Sequence, residues 1–196
     1  MENEFFETIR VVQGKPLHLK YHQERYEKTL KALGSSEFES LASYIKAPSK
    51  ELLRCKIIYD DKEILTVEYF PYKKRKINSL KILYADYDYA LKATDRVQID
   101  TLYKKREKCD DVLIVKNGYI TDTSIANIAL YKDNVWYTPK DVLLAGTTRQ
   151  RYLDEHKLVL KNIPVDELDS FSQVALLNAM IDFDIIPFTK GDFFVK

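Results

Sequence analysis

The sequence predicts an α+β fold, and three observations carry that expectation. β-rich runs alternate with helical stripes, strong turn signals separate neighbouring runs, and no unit repeats along the chain. The composition suits a buried core under a charged coat: 45% of the 196 residues are hydrophobic and 31% are charged. Five glycines and six prolines are too few for a long low-complexity region. Lys plus Arg is 31 against 30 acidic residues, a balance that argues against a nucleic-acid partner.

Residues 5–12 have strand composition. Gln13-Gly14-Lys15-Pro16 reads as a turn and 17–19 as the return strand of a hairpin. A helix is expected over 21–33, where Tyr26, Leu30 and Leu33 form one apolar stripe and Gly34 supplies a stop. A shorter helical stretch over 41–45 precedes two strands, 53–59 and 64–72, joined through Asp60-Asp61-Lys62-Glu63. Lys73-Lys74-Arg75-Lys76 lacks interleaved aromatics and reads as a solvated connector. Residues 80–84 form a further strand and 94–108 a helix. Asn117-Gly118, between 111–116 and 119–121, favours a type I′ hairpin because both residues accept positive φ. A second hairpin joins 127–131 to 135–138 through Asp133-Asn134. Gly146-Thr147-Thr148-Arg149 opens a helix running to His156, and a short helix is expected over 166–171. A division into two lobes is expected near 76–92.

Familiar site templates are missing. Cys55 and Cys109 show no metal or redox spacing, which points to a reducing compartment, and His18, His22 and His156 show no ligand spacing for a metal. No apolar run reaches the ~18 residues of a membrane span. The acidic start lacks the basic and apolar stretches of a signal peptide, so a cytoplasmic location is expected. Two features remain. Gly146-Thr147-Thr148 before a helix gathers N–H groups and hydroxyls at the positive end of a dipole, which suits a phosphate or simply a helix cap. Lys92 follows Tyr87, Tyr89, Ala90 and Leu91. Such an apolar neighbourhood disfavours the ammonium form and frees the amine for Schiff-base chemistry. A solvated surface lysine is the alternative.

Taken in order, these segments resemble the class IV aminotransferase family, the fold type IV enzymes that use pyridoxal 5′-phosphate (PLP). Phe6-Glu7-Thr8-Ile9-Arg10 is similar to the family's F-E-T-[IL]-R strand, His22-Gln23-Glu24-Arg25 to its H-x-x-R helix, and Lys92-Ala93-Thr94-Asp95-Arg96 to its K-x-x-N-R segment. Asp111 to Ile114 and Thr121-Asp122-Thr123-Ser124-Ile125-Ala126-Asn127 resemble the next motif. Thr138-Pro139, Leu143 to Arg149 and Asn178-Ala179 complete the order. The resemblance runs from about residue 6 to 186.

It implies a D-amino acid aminotransferase-like, two-lobed PLP fold: a small α/β lobe over 1–85, a linker over 86–91, and a larger β-barrel-like lobe with helices over 92–196. Lys92 would form the Schiff base and then move the substrate proton. Arg25, Thr147, Thr148, Asn178 and Ala179 would hold the phosphate, with Asn127 among the cofactor-binding residues. Asp122 stands where the family usually has Glu and would face the pyridine nitrogen, one methylene shorter. Arg10 and Arg96 are candidates for substrate carboxylates. The chain starts just before the first motif, so the substrate side is expected to be more open or covered by a neighbouring subunit. A homodimer acting on a small amino substrate is implied. Asp95-Arg96 and Asn178-Ala179 favour a 4-amino-4-deoxychorismate lyase-like reaction giving pyruvate and 4-aminobenzoate. The alternatives are a D-amino acid or branched-chain transaminase, and a degenerate, non-catalytic protein of the same fold.

Overall fold

The computed structural model describes residues 4–189 and 191–196. Among these residues two compact units emerge: 4–74 together with 91–95, and 75–90 together with 96–189 and 191–196.

In the first unit, β1 (Phe5–Val12) alternates strictly. Phe5, Glu7, Ile9 and Val11 are buried, while Phe6, Thr8 and Arg10 are half-buried. This period-two pattern is that of a strand with one face on a core. The sheet order is β2 (Lys15–Pro16), β1, β3 (Leu53–Tyr59) and β4 (Ile64–Pro71), with every described pairing antiparallel. The helix α1 (Leu19–Ala32) and the single turn α2 (Leu41–Tyr44) lay Tyr26, Leu30 and Leu41 on Ile9, Cys55 and Ile57.

The first hairpin differs from its expected form. The return strand is only Lys15–Pro16, Gln13 and Gly14 make the turn with φ of 53° and 77°, and His18 at φ 52° ends any extension before the helix starts at Leu19. A left-handed residue cannot continue a strand, so 17–19 cannot be one.

In the second unit, β5 (Leu80–Tyr84) pairs in parallel with β6 (Asp111–Lys116), and β13 (Phe194–Val195) lies on its other edge. Those ladder bonds tie residues 75–85 to this unit, not to the first lobe. β7 (Tyr119–Thr123), β8 (Asn127–Lys132), β9 (Val135–Pro139) and β10 (Val159–Lys161) continue the sheet, and β11 (Gln173–Asn178) branches from β8 to pair with β12 (Asp182–Ile186). Asn117-Gly118 and Asp133-Asn134 both have positive φ at each residue, as type I′ hairpins require. Phe171, Leu113, Ile128, Leu130 and Leu176 centre the core. A 3₁₀ turn (Val165–Ser170) replaces the expected short helix.

The helix expected over 94–108 spans only α3 (Val97–Lys104). Its start is late because the preceding backbone is taken: Thr94 N–H donates to Glu4 O at 2.8 Å, Phe6 N–H to Lys92 O at 2.9 Å, and Ala93 bridges Phe5. It stops early because Glu107 takes φ 55°. Among the described residues no helix is long and apolar enough to cross a membrane.

Candidate active site

The first unit supplies Lys92, Arg25 and Arg10. Glu7 is the one charged residue on the buried face of β1 and is fully inaccessible. Arg25, on α1, grips it side-on: Nε donates to Oε1 at 2.8 Å and Nη2 to Oε2 at 2.6 Å, the bidentate geometry a guanidinium favours. His22, one turn earlier and also buried, donates from Nδ1 to Oε2 at 2.6 Å. Burial alone would raise the Glu7 pKa, but Arg25 and His22 overcome it and hold the carboxyl at about 2. Burial pushes His22 down, against the pull of Glu7 and with help from Arg25 and Lys92. The pair is therefore a carboxylate accepting from a neutral imidazole. Because an ionised carboxylate only accepts, the imidazole proton sits on Nδ1.

The other face of this sheet carries four cations, with Glu68 of β4 opposite Lys56. Lys92 Nζ lies 4.6 Å and Lys56 Nζ 5.4 Å from the centre of the Phe6 ring. The antiparallel register sets Thr8 opposite Lys56 and Arg10 opposite Arg54. Like charges facing each other across a ladder repel, so an anion between them is favourable.

The second unit supplies Asp122, Asn127, Thr147, Thr148, Arg96, Asn178 and Ala179. Asp122 is buried one residue before the end of β7. Its Oδ1 accepts from Asn127 Nδ2 at 2.6 Å and its Oδ2 from Leu144 N–H at 2.9 Å; Asn127 Nδ2 also donates to Leu144 O at 2.9 Å. Burial dominates and raises the carboxyl pKa to about 6 despite those donors and the nearby Arg149. A cationic partner would relieve that penalty.

Thr147 and Thr148 begin α4 (Thr147–Asp154), both buried, with Gly146 extended before them and no side chain capping the helix. Helix N-termini carry N–H groups that the helix itself leaves unpaired. Arg149 anchors this turn from below, donating from Nη2 to Pro139 O at 2.6 Å and from Nε to Thr138 Oγ1 at 3.2 Å.

Gly146 has an ordinary φ of −70°, so its need is for space: an added Cβ would overlap the Asn127 amide oxygen. Asn127 is pinned by Asp122 and Leu144 and has nowhere to go. Gly146→Ala is expected to destabilise the fold by about 1–3 kcal/mol, as overpacking does, and to displace Asp122 from its donors. Urea unfolding together with the pH titration of Asp122 by NMR checks this.

Arg96 Nη2 donates to Ser124 O at 2.8 Å in the β7–β8 turn. The Asn178 side chain is occupied internally: Nδ2 donates to Ile125 O at 3.2 Å, and Oδ1 accepts from Met180 and Ile181 N–H at 2.9 and 3.1 Å. The backbone of the Asn178-Ala179 turn and the second Nδ2 hydrogen of Asn178 are left for a ligand there. A cavity of about 300 Å³ in this unit, lined by Lys116, Lys140, Val142 and Lys161, includes none of these residues.

Glu7, His22 and Arg149 stand inside the quoted motifs, but sequence reasoning gave none of them a role. Each is a polar residue at an inward position of a regular element, which is a signal that a period count discards as noise.

In the first unit Lys92 supplies an amine; in the second, Asp122 is a buried carboxylate whose charge is costly, and α4 begins with two buried hydroxyls. An amine suits an aldehyde, such a carboxylate a ring N–H⁺, and a helix N-terminus a phosphate, and these are the three groups that PLP carries. The amino-transferase class IV family model matches residues 4–189, and the chain belongs to that family, whose enzymes use PLP. A protein of Haemophilus influenzae whose function is uncharacterised is 35% identical over 182 residues, 89% of this chain and 96% of its own length. A crystal structure of a candidate 4-amino-4-deoxychorismate lyase from Haemophilus somnus 129PT is 32% identical and superposes with a TM-score of 0.83, covering 92% of this chain and 97% of that one. A candidate amino-acid aminotransferase from Mesorhizobium loti, at 20% identity, shares the fold with a TM-score of 0.83 over 96% of this chain and 100% of its own.

Proposed function

We propose that this enzyme is a 4-amino-4-deoxychorismate lyase, splitting its substrate into 4-aminobenzoate and pyruvate. The observation that carries this reading is the cationic face of the first sheet. Lys56 shares the Phe6 ring with the Lys92 amine, and Arg10 and Arg54 stand further along the same face, which suits a substrate with two carboxylates. A branched-chain amino acid has one carboxylate and needs an apolar pocket instead. The H. somnus relative described as a candidate lyase supports the same choice.

When bound, PLP supplies an electron sink for the bond-breaking step. Lys92 Nζ would bind the cofactor, take the proton from C4 of the substrate and return it to the methylene carbon of the departing enolpyruvyl group. The products together hold all the substrate's atoms, so no water, oxidant or amino acceptor is consumed. With PLP bound, Asp122 would accept from the protonated ring nitrogen, and Arg25 and the Thr147–Thr148 turn would hold the phosphate; Asn127 holds Asp122 in place.

Incubating the PLP-loaded enzyme with 4-amino-4-deoxychorismate alone is expected to give pyruvate and 4-aminobenzoate in equal amounts. Turnover that requires an amino acid and 2-oxoglutarate would replace this reading with transamination, and the absence of both reactions would favour a non-catalytic role.

A further inference from the structure

Arg151 is a buried cation on α4, three residues beyond Thr148 and four beyond Thr147, and so on the same helix face. Its Nη1 donates to Glu155 Oε1 at 3.2 Å, one turn further along the same helix, and its Nη2 donates to Asp182 Oδ1 on another element. Asp182 is the first residue of β12 and sits opposite Asn178, the last residue of β11. The Arg151–Asp182 pair therefore ties α4 to the base of the turn that carries Asn178 and Ala179. Beside it the Tyr152 and Phe183 rings meet at 4.9 Å, so two successive residues of the helix are docked on two successive residues of the strand.

Both ends of this tie lead to one place. Gly146, just ahead of α4, packs against the Asn127 side chain, and Leu177, the neighbour of Asn178, pairs with Asn127 across the β11–β8 ladder. The start of α4 and the Asn178-Ala179 turn thus flank the same residue. The turn has a fixed shape of its own: Asn178 Oδ1 accepts from Met180 and Ile181 N–H, and Asp182 closes it at φ 59°, a left-handed conformation that aspartate tolerates. What remains to be set is the spacing between turn and helix. The Arg151 side chain is only 10% exposed, so its charge depends on its carboxylate partners, and a charge-assisted bond between elements fixes that spacing.

We propose that Arg151 is a positioning residue: through Asp182 it holds the first turn of α4 and the Asn178-Ala179 turn at the spacing at which both donate to one phosphate. The assignment rests on the phosphate role given above to the Thr147–Thr148 turn. Arg151 acts through the two turns and not by contact with the ligand.

The test is equilibrium dialysis of full-length, cofactor-free protein against PLP and against pyridoxal, which carries a hydroxyl in place of the phosphate. Wild type, Asp182→Asn, Arg151→Met and the double variant are compared. Asparagine also accepts a left-handed φ, and methionine keeps much of the buried stem; Asp182 is 41% exposed and stays solvated when its partner is removed. Each single variant is expected to bind PLP about tenfold more weakly and pyridoxal as tightly as wild type. The double variant should bind PLP no more weakly than the singles, because one shared interaction is lost. Equal weakening toward PLP and pyridoxal means a purely structural role and overturns the proposal. An unchanged PLP dissociation constant, or single effects that multiply in the double variant, overturns it too. If wild type binds pyridoxal as tightly as PLP, the phosphate role of the Thr147–Thr148 turn falls as well. If wild type prefers PLP and the variants keep that preference in full, only the role of Arg151 falls.

Discussion

Lys92→Ala is expected to lose covalent cofactor attachment and at least ~10³-fold in kcat/KM, because one amine serves as both nucleophile and proton carrier. The position of that amine comes from the chain before it. Residues 91–95 join the first unit through the Phe5–Ala93 bridge and the bonds from Phe6 N–H to Lys92 O and from Thr94 N–H to Glu4 O. All of these are backbone interactions, so alanine leaves them intact and the fold should survive. The side chain lost is the one stacked on Phe6. Borohydride reduction of the PLP-loaded proteins followed by peptide mass mapping checks the claim directly. Wild type should carry the pyridoxyl adduct on Lys92, and the alanine variant should carry none. An adduct of equal yield at another lysine in the variant would move the reactive amine elsewhere.

The same segment shows where the sequence was legible and where it was not. The strand at Leu80–Tyr84 and the two hairpins were readable, because apolar runs and Asn-Gly or Asp-Asn turns are local signals. The late start of α3 was not, because the donors it lacks are taken by Glu4 and Phe5, some ninety residues away in the chain. Lys92, Asp122 and the Thr147–Thr148 turn could be singled out through motif order. The clamp of Asn127 on Asp122 and the tight approach of Gly146 to Asn127 depend on packing between separate strands and loops. The charge on the inward face of β1 was visible as a break in an apolar alternation. Its partners on α1 became identifiable only once the helix was docked.

That buried charge carries the second large effect. Glu7→Ala is expected to destabilise the protein by about 3–5 kcal/mol, the usual cost of removing one partner from a buried ionic cluster. Arg25 would lose its bidentate anchor and His22 its acceptor, both beside a β1 position that is fully inaccessible. Glu7→Gln should cost less. Its amide oxygen can still accept from Arg25, and neutral His22 can shift its proton to Nε2 and accept from the amide nitrogen. The two variants also differ from wild type in acid. Folding lowers the Glu7 pKa from 4.5 to about 2. Its contribution is therefore fully present above pH 4.5 and is lost as the pH falls toward 2, on the order of 3 kcal/mol in all. Urea midpoints measured from pH 6 to pH 2 should fall more steeply below pH 4.5 in wild type than in Glu7→Gln. Parallel slopes would mean that the carboxylate gains nothing from Arg25 and His22. Arg25 would then need another restraint to keep its guanidinium in place for a phosphate.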